Sequence, residues 1–198
     1  GKLAAEGKNI EADVVTTASY YLDSLQKSQK LFQKLAFTPD TINPTPDYYA
    51  PILGNCGALF INTQVLAADK LPRPTRIEDL AQPIYAGHIS VPDILGSSTS
   101  WLMTQAVIAD KGEAEGAKIL QAIEKNAGAH LTKSGSAPLK LIRAGEVAVG
   151  FGLRHQAVAD KAKGLPVDFI DPVEGNFMLT EAAAKGIRPI RMHRRWSK

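Results

Sequence analysis

The sequence offers little on which covalent chemistry could be built. Cys56 is the single cysteine among 198 residues, so neither an internal disulfide nor a Cys-x-x-Cys site can form; it reads as a small apolar core residue. G-x-S-x-G, H-E-x-x-H and G-x-x-x-x-G-K-[ST] are all missing, which removes the usual signatures of α/β-hydrolases, zinc proteases and P-loop NTPases. Ser98, His155 and an Asp supply the residue types of a hydrolytic triad, but no spacing supports one. No apolar run approaches the ~20 residues a membrane helix requires, and no internal repeat or low-complexity tract is present. The expectation is a protein without catalytic residues, metal ligands or cofactor.

Charge of one sign is also scarce once the chain is divided. The formal net charge is +3, yet residues 1–184 carry 17 Lys and Arg against 20 Asp and Glu. The excess lies in residues 185–198, where Lys185, Arg188, Arg191, Arg194, Arg195 and Lys198 meet no acid. The body has no basic stripe, so nucleic acid is not an expected partner, and the tail reads as a solvated end. With 44% hydrophobic and 22% charged residues, the composition is that of a globular protein with one large domain or two small lobes.

Hydrophobic patterning predicts alternating strands and helices. Strands are expected at Ala12–Val15, Gly57–Asn62, His88–Val91, Ala129–Thr132, Val147–Gly152 and Val167–Ile170. Helices are expected from Tyr20 to Lys34, Ser98 to Asp110, Gly112 to Asn126, Ser136 to Ala144 and His155 to Ala162. Prolines make Thr38–Pro51 extended or looped, and Pro72, Pro74 and Pro83 mark residues 72–87 as a surface connection. Strands separated by helices predict an α/β fold with mainly parallel sheets.

In such sheets ligands bind beyond the carboxyl ends of strands. Three of these junctions are rich in small hydroxyl residues: Thr16–Ser19, Gly96–Ser100 and Ser134-Gly135-Ser136. Their hydroxyls can cap the following helix, or join its free amides and dipole in holding an oxyanion. Beyond Val147–Gly152, Arg154 can clamp a phosphonate, phosphate or carboxylate bidentately. His155 can donate to the same group or cap its own helix. Glu174 can meet a ligand cation such as an ammonium, or stand as an exposed loop carboxylate. The pairs Tyr20-Tyr21 and Tyr48-Tyr49 bear on iron–phenolate ligation, but no His or carboxylate accompanies them at ligand spacing, and packing is their commoner role.

These junctions carry a resemblance. Pro74–Asp93, reading PTRIEDLAQPIYAGHISVPD, resembles the segment by which extracellular solute-binding proteins of ABC importers pass between their lobes. Ala12–Val15, Ser97–Ser100, Lys133–Pro138 and Ala144-Gly145-Glu146 follow the same family pattern in order, over roughly residues 8–183. The run Gly152–Gln156 with Glu174-Gly175-Asn176 is most similar to 2-aminoethylphosphonate binders of the type II periplasmic-binding branch. The resemblance implies two α/β lobes that close on a small anionic or zwitterionic solute, such as a phosphonate or a phosphate ester, in the cleft between them. It also implies a periplasmic or membrane-tethered extracellular location and a membrane permease as partner. The ligand-binding positions it implies are Ser19, Ser97, Ser98, Thr99, Ser134, Gly135, Ser136, Arg154 and His155, to which the residue reading adds Glu174.

Iron binders of this branch have adjacent tyrosines where Arg154 and His155 stand here. An iron(III) or polyamine binder, and an effector-sensing domain of a regulator, are the alternatives. Family members begin with a further strand–helix–strand unit and continue well past Glu181. The expected organisation is therefore a partial first lobe at 1–86, a second lobe at 87–172, a return crossover at 173–184 and an atypical basic tail at 185–198. An incomplete first lobe invites association through open strand edges.

Overall fold

In the computed structural model residues 2–187 are described. In chain order the elements are α1 (Lys2–Glu6), β1 (Val14–Ala18), α2 (Ser19–Gln29), β2 (Tyr49–Asn62), α3 (Thr63–Ala68), β3 (Ile89–Ser90), α4 (Ser98–Lys111), α5 (Glu113–Ala127), α6 (Ala137–Ala144), β4 (Val149–Leu153), α7 (Arg154–Ala162), β5 (Val167–Ile170) and β6 (Met178–Lys185). No helix among the described residues is long and apolar enough to cross a membrane. The chain divides into two units, one ending at Gly54 and resuming at Leu179, the other spanning Asn55–Met178. The boundary thus falls inside β2 rather than at the expected 86/87, and the return falls at 178/179. Residues 188–198, most of the expected basic tail, lie outside the described residues, whereas Lys185 closes β6 and pairs with Val14.

In the first unit β1 and β6 are antiparallel, with Val15 opposite Ala184 and Thr17 opposite Ala182. α2 covers one face: Leu22 and Leu25 sit three residues apart on one helical stripe and join Val15, Tyr49, Ala182 and Ala184 in a buried cluster. The hydroxyl stretch expected as a loop is regular structure, because Thr16 and Thr17 lie within β1 and Ser19 opens α2 with no intervening turn.

The second unit carries the larger core. β2 is flanked on one edge by β4 and on the other by β5, both antiparallel to it, and β3 lies parallel against β4. The expectation of mainly parallel sheets is corrected here. Strand–helix–strand connections do make β3, β4 and β5 run the same way, but β2 lies between β4 and β5, so both pair with a strand of opposite direction. Glycines make the β2–β4 pairing possible. A Cβ on Gly152 would stand 2.5 Å from the Phe60 ring, and one on Gly57 would stand 2.4 Å from the Phe151 ring; each ring lies over a glycine of the opposite strand.

Local chemistry sets the helix ends. Asn62 caps α3, its Oδ1 accepting from the Gln64 and Val65 amides at 3.1 Å each, while its Nδ2 donates to the Ile142 carbonyl at 2.8 Å. α6 starts with Pro138 in its first turn and ends on Gly145 in the left-handed region, φ 73°. Residues 72–87 are not a surface connection. Ile77, Leu80 and Tyr85 are fully buried, the Tyr85 hydroxyl donates to the Pro72 carbonyl at 2.6 Å, and Asn126 Nδ2 donates to the Leu80 and Gln82 carbonyls. Nor is 129–132 a strand: Gly128–His130 form a 3₁₀ turn, and Thr132 makes an isolated bridge to Pro92.

Candidate functional site

The second unit gathers most of the expected site residues beyond the ends of β3 and β4. Ser97 caps α4, its hydroxyl accepting from the Thr99 amide at 3.1 Å. Thr99 is buried, and its hydroxyl faces the backbone of Gly135: a Cβ at Gly135 would lie 2.0 Å from Thr99 Oγ1 and 3.0 Å from Ser97 Oγ. The 134–136 turn is therefore seated directly on the start of α4, and only glycine permits it. The Gly135 carbonyl in turn faces Gly152 near the end of β4, 3.5 Å from where its Cβ would stand. These contacts join three chain segments distant in sequence.

Inside the turn, Ser134 and Ser136 hydroxyls lie 3.1 Å apart. Ser136 precedes α6 without a side-chain bond to its amides, and α7 likewise begins without a side-chain cap. At α6 the Ala137 amide is taken by the Ser134 carbonyl at 3.2 Å and Pro138 has no N–H, so these helix starts offer the positive end of the dipole rather than a row of free donors. Ser136 and the exposed His155 line one groove of about 250 Å3 between α6 and α7. Ser98 is exposed at the head of α4. Ser19 belongs to the other unit, where its hydroxyl is hydrogen-bonded to Tyr49.

Two of the expected residues have partners that the sequence does not announce. Arg154 Nε donates to Asp171 Oδ1 at 2.8 Å and its Nη2 to Asp171 Oδ2 at 3.2 Å. The guanidinium carbon stands 4.6 Å from the Phe169 ring centroid, and Asn176 Nδ2 donates to Asp171 Oδ1 at 2.8 Å. Arg154 is thus held in a bidentate pair. Its hydrogen bonds keep the Asp171 carboxyl below the usual carboxylate range, against a smaller opposing effect of burial. A carboxyl depressed in the folded state contributes stability above its unfolded value, near 4, and loses it as pH falls through the lowered folded value. The Asp171 carboxyl resonance is expected to titrate at higher pH in Arg154→Gln than in the wild type, which carbon-detected NMR measures.

Glu174 is corrected outright. Its carboxylate is 1% exposed and accepts from the Ile77 amide at 3.0 Å and the Glu78 amide at 3.0 Å. It closes the start of the buried 3₁₀ helix Ile77–Ala81 and is neither an exposed loop carboxylate nor a group turned to a ligand. Glu174→Ala should destabilise by about 2 kcal/mol, since two amides lose a charged acceptor. Solute affinity should change less than about twofold; thermal melting and calorimetric titration of this variant test both.

The Tyr48-Tyr49 pair is packed edge-to-face, ring centroids 5.4 Å apart. Burial, then a short hydrogen bond to Asp23, push the Tyr48 hydroxyl far above its ordinary pKa, and Tyr49 is raised chiefly by burial. Among the described residues, no group of three His, Cys, Asp or Glu is placed to hold a metal ion.

Residues 10–186 match the model of the bacterial extracellular solute-binding protein family. The chain belongs to this family. Solved structures similar to this solute-binding chain include the periplasmic binding protein P5PA, at 21% identity and a TM-score of 0.77 over 96% of this chain and 63% of that one. AfuA from Actinobacillus pleuropneumoniae, with exogenous fructose-6-phosphate bound, is 22% identical with a TM-score of 0.77 over 93% of this chain and 61% of that one. A periplasmic thiamin binding protein is 20% identical, also at 0.77, over 94% and 58%. An uncharacterized protein of Haemophilus influenzae is 28% identical over 116 residues, 58% of this chain and 33% of that protein. The solute-binding chain therefore spans less than two thirds of the length of each of these relatives. The fold is that of type II periplasmic binding proteins.

Proposed function

We propose that this chain belongs to the solute-capturing component of an ABC importer, working in the periplasm or tethered outside the membrane and delivering its solute to a membrane permease. The solute is small and carries an oxyanion: a phosphonate such as 2-aminoethylphosphonate, or a phosphate ester. The observation that carries this reading is the seat of Gly135 on Thr99 and Ser97, beside two helix starts whose amides no side chain caps. Capping alone requires one side chain per helix; here two hydroxyl-rich turns pack on each other near the positive ends of α6 and α7, which suits an anion.

Ser97, Ser98, Thr99, Ser134, Gly135 and Ser136 form the oxyanion seat, with Arg154 and His155 at its α7 side. A sugar phosphate named with AfuA supports the phosphate-ester half of this reading. Tyr48 and Tyr49 pack edge-to-face on each other, and among the described residues no cluster of three His, Cys, Asp or Glu accompanies them. The role is binding without turnover.

Thermal-shift titration with 2-aminoethylphosphonate, glycerol 3-phosphate, fructose 6-phosphate and spermidine tests it. A solute present at about 100 times its dissociation constant stabilises the folded state by roughly 2.7 kcal/mol. The two phosphate esters or the phosphonate should raise the melting temperature and spermidine should not. A shift with spermidine alone overturns the anion assignment.

A further inference from the structure

Resting on that solute-binding role, we propose that Asp171 selects the charge of the solute, favouring a zwitterion over an anion of equal size, by occupying one edge of Arg154. The guanidinium has five N–H donors in a fixed fork. Asp171 takes the Nε and one Nη2 donor, so the opposite edge, formed by Nη1 and the second Nη2 hydrogen, remains available to a ligand oxyanion. Both side chains are within reach of a solute, Arg154 being 39% and Asp171 48% exposed.

The carboxylate does not swing freely. Asn176 donates to it, and Phe169 lies under the guanidinium, so the pair presents a fixed positive edge beside a fixed negative one. An anion docked on the free edge stands within roughly 4–6 Å of the carboxylate, where like charges disfavour each other and an ammonium is attracted. At that distance and at an effective dielectric between those of water and a protein surface, the effect is about tenfold in affinity. Asp171 thereby takes the part that Glu174, buried against backbone amides, does not play.

The probes are 2-aminoethylphosphonate and ethylphosphonate, which share a skeleton and differ in the amine. Calorimetric titration of the whole chain should give about tenfold tighter binding of the aminated compound. Asp171→Asn should bring the two affinities within about twofold, mainly by tightening ethylphosphonate, and Asp171→Glu, which keeps the charge, should restore most of the preference. Equal affinities in the wild type overturn the proposal whatever the variants do, as does a preference that Asp171→Asn leaves unchanged. Failure of the wild type to bind either probe overturns it together with the solute-binding reading; binding of both without discrimination overturns the charge selection alone.

Discussion

Gly135→Ala is expected to lower solute affinity by about tenfold or more, and to cost about 1–3 kcal/mol of stability. The effect is steric before it is chemical. The added methyl would lie 2.0 Å from Thr99 Oγ1 and 2.7 Å from Thr99 Cβ, well inside contact distance. Thr99 cannot yield, because it is buried in the first turn of α4 and its amide is held by Ser97. The 134–136 turn has to lift instead, carrying Ser134, Ser136 and the start of α6 away from the α4 hydroxyls. Losing one or two hydrogen bonds to a bound oxyanion is worth about tenfold in affinity. Thr99→Ala alone should weaken binding modestly. Combined with Gly135→Ala it should recover part of the lost stability, because the hydroxyl clash disappears while the 2.7 Å approach to Thr99 Cβ remains. A double-mutant cycle on melting free energies should give a coupling of about 0.5–3 kcal/mol. Strict additivity would show that the turn does not rest on Thr99.

How far the sequence discloses this site depends on what kind of contact holds each part. Helix starts are written locally. Ser98–Lys111 and β5 at Val167–Ile170 coincide closely with the expected segments, since hydrophobic period and hydroxyl caps are properties of a few consecutive residues. The hydroxyl turns could be singled out for the same reason. Their mutual contact could not, because nothing in Ser134-Gly135-Ser136 states that its glycine lies against a threonine some 36 positions earlier; a glycine between two serines reads equally well as an ordinary turn. Arg154 shows the same limit: its suitability for an anion is legible from its type, whereas its pairing depends on β5 delivering Asp171 beside α7. The one available signal was the acid two residues beyond the aromatic Phe169 in the last expected strand. Glu174 misled because a carboxylate in a Pro-Val-Glu-Gly turn suggests exposure, and only the distant Ile77–Ala81 segment gives it two amides to accept from. Pro51 likewise disguised the first part of β2, since proline near the beginning of a strand resembles a break.

Arg143→Ala should destabilise the second unit by about 2–3 kcal/mol, below the cost of breaking a fully buried pair because Arg143 is itself 43% exposed. Asp160 lies in α7 with its side chain only 2% exposed, and Arg143 at the end of α6 meets it with two parallel hydrogen bonds, that from Nη2 to Oδ1 being 2.7 Å long. Removing the arginine leaves a buried carboxylate without its counter-charge, and that costs more than the intact pair contributes. Arg143→Lys should fall between, because an ammonium meets the carboxylate as a point charge and cannot reproduce the two-pronged geometry. Asp160→Asn in the Arg143→Ala background should recover much of the loss, since a neutral amide is less costly to bury unpaired. The pair also bears on binding. It ties α6 to α7 at the end of their shared groove, opposite Ser136 and His155. If the two helix starts act together on one anion, Arg143→Ala should weaken solute binding even at temperatures where the chain remains fully folded. An affinity equal to the wild type under those conditions would mean that α6 and α7 hold the solute independently of each other.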